Sequence, residues 1–90
     1  MPRRLLATRR VVPLDRSEAY DELWERVRAA VTDAGGHAWR FCSARRQDAF
    51  LEFIESRALD AMLEDGRVER ARLELDGAFG RGTTEEWEEA

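Results

Sequence analysis

The chain has no lysine and no asparagine, and only one isoleucine (Ile54), one cysteine (Cys42) and one histidine (His37). Each scarcity closes off some chemistry. Without lysine there can be no Schiff-base nucleophile and no P-loop. One cysteine can form neither an intrachain disulfide nor a thiolate cluster, and one histidine is too few for a dedicated transition-metal site, so no metal and no cofactor is expected. Cys42 reads as a small buried hydrophobe, and a reducing cytoplasm is the expected compartment. No stretch approaches the ~18 apolar residues of a membrane span. The apolar start Leu5-Leu6-Ala7 is broken by Arg9 and Arg10 before it reaches the ~7 residues of a secretory leader.

What remains is charge, and every cation is arginine. Fifteen arginines stand against nineteen acidic residues, for a net charge of −4. This is the balance of a hydrated surface and not of a nucleic-acid binder, which needs a basic face. No aromatic RNA-binding pattern accompanies Arg3, Arg4, Arg45 and Arg46. The exclusive use of arginine matches the codon usage of a GC-rich bacterial genome and says little about function. At 90 residues, 43 % of them hydrophobic, one domain with its own core is expected over 1–90.

Periodicity places the elements. Residues 4–14 are aliphatic and β-branched and close on Pro13, as a strand does. Asp15 with Glu18, or Ser17 alone, caps a helix whose apolar positions Tyr20, Leu23, Trp24, Val27, Val31 and Ala34 recur every three or four residues until Gly35-Gly36. Residues 37–46 alternate, with His37, Trp39 and Phe41 on one side and Ala38, Arg40 and Cys42 on the other. After a polar turn, 49–55 forms a third strand, with Phe50, Glu52 and Ile54 on one face and Leu51 and Phe53 on the other. Ser56 caps a short helix carrying Leu59, Met62 and Leu63. Val68, Ala71, Leu75 and Phe79 then predict a helix over 67–79, favoured over a strand by its Glu, Arg, Leu and Ala content. Residues 80–90 read as an acidic tail or short helix with Trp87 as its one anchor. The fold class is therefore α+β, a ferredoxin-like β-α-β-β-α order with an antiparallel sheet and a helical C-terminal third.

Neither sheet face is plainly polar, and Trp and Phe left in water on a monomer would be unusual, so a second chain is expected over one face. The segment from Phe50 to Ala61 (Phe-Leu-Glu-Phe-Ile-Glu-Ser-Arg-Ala-Leu-Asp-Ala) resembles the third strand and second-helix start of dimeric α+β barrel proteins, such as antibiotic biosynthesis monooxygenase-like and NIPSNAP-like domains. The element order extends the resemblance over residues 4–65. It implies a homodimer with sheets face to face, a final strand where the residues favour helix, and a cleft between sheet and helices. Some relatives are cofactor-free oxygenases whose sites use tryptophan, asparagine or histidine. Asparagine is absent here, so that pattern does not carry over whole.

Candidate site residues follow. His37 is the one side chain that ordinarily titrates near neutrality, the natural acid/base, although a lone histidine at a strand end also serves as a surface residue. Trp24, Trp39 and Phe53, with Phe41 and Phe50, either wall an aromatic-binding pocket or form core and interface. Arg9 and Arg10 lie mid-strand, so at least one of them points toward a buried face and needs a carboxylate, for which Glu52 is placed; Arg10 with Glu52 is the candidate pair. The two either orient a ligand or form a structural ion pair. Residues 1–16 carry +4 and residues 83–90 carry −4, so the termini attract one another. Two functions remain open: a dimer that binds or transforms a small, partly aromatic molecule, or a non-catalytic assembly module.

Overall fold

In the computed structural model, which describes residues 1–90, four strands and three helices follow in the order β-α-β-β-α-α-β. They are β1 (Arg4–Val11), α1 (Ser17–Asp33), β2 (His37–Cys42), β3 (Ala49–Ser56), α2 (Leu59–Glu64), α3 (Gly66–Phe79) and β4 (Thr83–Glu88). The sheet is antiparallel throughout, in the order β2-β3-β1-β4. That is the ferredoxin-like arrangement. No helix is long and apolar enough to cross a membrane.

The helical stripe foreseen in α1 is the centre of the core. Tyr20, Trp24, Val27 and Val31 are buried and pack with Leu6, Val12 and Ile54 from the sheet side. Leu59 and Met62 of α2 and Val68, Ala71 and Leu75 of α3 complete the cluster, each full burial of a large aliphatic stabilising by about 1.5–3 kcal/mol. The two ends of α1 differ in fidelity to expectation. Gly35 ends it at φ 88°, a conformation open to glycine. At the other end a 3₁₀ turn over Leu14–Arg16 leads in, and no side chain caps the helix, so neither Asp15 nor Ser17 is the cap. Asp65 is the working cap in this fold, accepting from the N–H groups of Arg67 and Val68 at the start of α3. Ser56 binds the Ala58 N–H just ahead of α2 without capping it.

Two expectations are corrected. Residues 83–88 form a strand and not a tail or short helix, so the C-terminal third is helix followed by strand. Helix propensity of the glutamates lost to long-range pairing: β1 has a free edge, β4 fills it from Arg4↔Glu88 to Arg9↔Thr83, and the charges are complementary. Arg4 pairs with Glu86 at 3.0 Å, and Arg3 with Glu89 at 2.8 Å. Gly82, at φ 68°, makes the entry possible, since a Cβ there would lie 2.5 Å from the Arg9 carbonyl oxygen. Cys42, expected in the core, is exposed at the end of β2, its Sγ facing the Arg46 and Gln47 carbonyls.

The sheet separates two surfaces. Toward the helices point Leu6, Thr8, Arg10, Ala38, Arg40, Glu52 and Ile54, as the pairings Thr8↔Glu52 and Arg40↔Glu52 require. Away from them point Leu5, Ala7, Trp39, Phe41, Leu51, Phe53 and Trp87, and here the residues remain largely uncovered: Trp39 is 39 %, Phe41 59 % and Trp87 58 % exposed.

Candidate functional site

The helices do not cover the sheet evenly. Helix α1 lies toward β2, and α3 leans on α1 and α2, so a gap opens between α3 and the β1/β4 half of the sheet. This gap is a cleft of about 500 Å³, within the range of sites for single small molecules. Its floor is Thr8 and Thr84, which face each other across β1 and β4. Trp24, Val27, Ile54 and Leu75 form its apolar part, and Glu69, Arg72, Leu73 and Asp76 of α3 form the far wall, with Arg81 and Gly82 beyond it.

At one side of the cleft sits a buried ionic cluster. Arg10 and Glu52 are diagonal neighbours on β1 and β3, since Arg10 is opposite Phe50 and Glu52 opposite Thr8. Their side chains are only 3 % and 5 % exposed. Arg10 Nε donates to Glu52 Oε2 at 2.8 Å and Nη2 to Oε1 at 3.2 Å, a bidentate fork. The same Nη2 donates to Asp76 Oδ1 at 3.1 Å, and Nη1 donates to the Gly80 carbonyl. Burial alone would lower the Arg10 pKa, but the two carboxylates outweigh it and hold the guanidinium above its ordinary value. Tyr20 completes the cluster by donating from Oη to Glu52 Oε2 at 2.6 Å. Its phenol is pushed well above the usual range, first by burial and then by the neighbouring Glu52 charge, so it stays protonated and keeps its proton on the Glu52 side.

Arg40 lies on the α1 side of this cluster. Its guanidinium stands 4.8 Å from the Tyr20 ring centroid and within 6 Å of Phe50 and Trp24, while Nη2 donates to Asp21 at 2.7 Å. Arg40 Nη1 is buried without a hydrogen-bond partner. Burial opposes its charge, and Asp21 and Tyr20 outweigh that opposition.

The residues singled out in the sequence thus fall on two sides of the sheet. Trp24, Arg10 and Glu52 come together at the cleft. Trp39 and Phe53 stack on each other at 5.2 Å on the opposite face, with Phe41 edge-on to Phe53. His37, the first residue of β2, is exposed on that same opposite face across from Glu55, beside Arg3 and Arg57 and away from the cleft. It cannot act on anything bound against Trp24. No three His, Cys, Asp or Glu side chains converge to hold a metal ion.

Sequence reasoning missed Tyr20, Asp76, Thr8, Arg72 and Arg81. For Tyr20 a signal existed: its position in the apolar stripe of α1 buries a hydroxyl, which then needs a partner. Asp76 and the two arginines could not be found without knowing where α3 lies.

No protein-family model matches the chain, and no curated protein matches it in sequence. Solved structures do match in fold. A Bordetella bronchiseptica protein provisionally described as an antibiotic biosynthesis monooxygenase superposes with a TM-score of 0.77 at 10 % identity, covering 100 % of this chain and 99 % of that one. A variant of SnoaB, a cofactor-independent oxygenase from Streptomyces nogalater, gives 0.74 at 13 % identity, covering 98 % and 91 %. A conserved protein of unknown function from Bacteroides thetaiotaomicron gives 0.71 at 18 % identity, covering 98 % and 97 %. The shared feature at these identities is the ferredoxin-like fold.

Proposed function

We propose that this protein is a homodimer that binds a small, partly aromatic molecule in the cleft between α3 and the sheet. The observation that carries the reading is the cleft itself: an open 500 Å³ space beside Trp24, next to a core that α1, α2 and α3 otherwise close. Its apolar residues offer a surface for a ring, and Thr8, Thr84, Arg72 and Arg81 offer polar groups around the rim. The dimer is supported by the other side of the sheet, where Trp39, Phe41, Leu51, Phe53 and Trp87 form an aromatic surface that a second copy would cover. Oxidation of the bound molecule without a cofactor is supported by the fold shared with SnoaB. Nothing in the proposal uses His37.

The three tryptophans allow a direct test, because each marks a different surface. In a ¹⁵N-resolved spectrum titrated with 1,8-dihydroxyanthraquinone, the Trp24 indole signal is expected to shift while those of Trp39 and Trp87 stay in place. A shift confined to Trp39 or Trp87, or no shift at millimolar ligand, would refute the cleft as the site. Oxygen uptake above background with reduced hydroxyaromatics then decides between binding and oxidation.

A second reading is favoured by the ionic cluster. Arg10 spends its donors on Glu52, Asp76 and Gly80, as a purely structural group would. In that reading the protein is a non-catalytic dimeric assembly module, and the titration above returns no cleft signal.

A further inference from the structure

We infer that the molecule bound in the cleft carries an anionic group, a carboxylate or an enolate, held by Arg72 and Arg81. The inference rests on the cleft reading above and names the chemical class of its ligand. It follows from asking which polar groups of the lining are still free. Glu52 and Asp76 are taken by Arg10, and Arg10 is in turn taken by them and by the Gly80 carbonyl. That removes the deep charges from any role in gripping a ligand. Arg72, half-buried on α3, and Arg81, just past its end, line the same cavity, and no carboxylate lies within ion-pair distance of either, Glu52 and Asp76 having gone to Arg10.

The floor agrees with the wall. Thr8 is buried, yet its hydroxyl makes no hydrogen bond within the chain and is not sealed off from solvent, and its cross-strand partner Thr84 likewise has an unengaged hydroxyl. Two guanidinium forks and two hydroxyls facing one space form a set of free donors. The remaining charge of the lining, Glu69, is exposed one turn before Arg72 on α3. A neutral hydrocarbon would leave the donors facing it unpaired, whereas a planar acid could lie along Trp24, Ile54 and Leu75 with its oxygens on the arginines. Arginine suits this role because its planar fork matches a carboxylate in two parallel hydrogen bonds.

The test compares 2-naphthoate with its neutral isostere 2-naphthamide, followed through the Trp24 indole signal. Charge-assisted hydrogen bonds of this type predict about ten- to hundredfold tighter binding of the acid. Arg72→Gln and Arg81→Gln, both at positions outside the core, are expected to remove most of that preference, the acid losing far more affinity than the amide. Raising salt from low to physiological ionic strength should weaken the acid and not the amide. Equal affinity of acid and amide in the unmodified protein, or a preference that survives in both variants, overturns the anion assignment and leaves the cleft reading standing. Absence of binding by either compound overturns both.

Discussion

Breaking the Arg10–Glu52 pair from either side should have unequal consequences. Both side chains are almost wholly removed from water, so losing one partner strands the other, at a cost of about 3–5 kcal/mol for buried pairs. Glu52→Gln belongs at the low end, about 3 kcal/mol, because Asp76 remains 3.1 Å from Arg10 and is itself partly hydrated. Arg10→Met belongs at the high end, about 5 kcal/mol, since Glu52 is then left with the Tyr20 hydroxyl alone. A domain of this size has roughly 5–13 kcal/mol in total, so each single change consumes a large fraction, and about 3 kcal/mol corresponds to ~12–24 °C in Tm. The double variant Arg10→Met with Glu52→Leu removes both charges and should lose only about 1–3 kcal/mol, mostly for the orphaned Tyr20 hydroxyl. Urea unfolding followed by far-UV circular dichroism, at one fixed protein concentration because association adds to stability, measures all four states. Losses that simply add in the double variant would refute the reasoning, since stranded charge is by nature a coupled effect.

Other expectations concern the strand edge, the glycines and the exposed face. Arg3, by hydrogen bond first and charge second, holds the Glu89 carboxyl below its ordinary range. That contribution is present above the unfolded carboxylate pKa and is lost as pH falls through the lowered one, so the acid limb of the urea midpoint should flatten in Glu89→Gln and in high salt. Gly36→Ala would push a Cβ into Met62 Sδ and to 3.0 Å from the Glu55 carbonyl oxygen, which cannot move freely; a loss of about 1–3 kcal/mol in the same urea assay is expected. Phe41→Glu, at a side chain already exposed in the single chain, should convert the mass seen by light scattering from that of two 10.4 kDa chains to that of one, with the circular dichroism spectrum unchanged.

How much of this was legible in the sequence depended on the range of the interaction involved. The stripe of α1 and the alternation of β2 and β3 are local patterns, and they sorted the residues of each strand onto its two faces without saying which face meets the helices. Two adjacent arginines on one strand meant that at least one needed a carboxylate, with Glu52 placed for it, and the pair that forms is Arg10 with Glu52. The nature of 83–90 was not legible, because Glu-rich sequence favours helix locally and becomes strand only when β1 offers an edge. The opposite charges of the two termini were the available sign, and they were read as attraction without being read as pairing. The candidate site was half visible. Trp24, Arg10 and Glu52 share a surface, whereas Trp39, Phe53 and His37 lie beyond the sheet; composition marks aromatic and titratable residues equally whichever way they face. Asp76, Arg72 and Arg81 depend on where α3 comes to rest, which no pattern within α3 specifies.

The placement of β4 separates two properties that usually travel together. All twelve residues of the hydrophobic core lie between Leu6 and Leu75, and none belongs to the last strand. The cleft, in contrast, has Thr84 in its floor and Gly82 at its edge. The ion pair Arg3–Glu89, which ties down the end of β4, spans 86 positions, the kind of distant closure that a folding chain makes late. A molecule can therefore have its core assembled while its cleft is still unfinished. Substitutions in β4 are free to reshape the cleft at little expense in core packing, so its shape and chemistry can drift along an evolutionary lineage faster than the fold does.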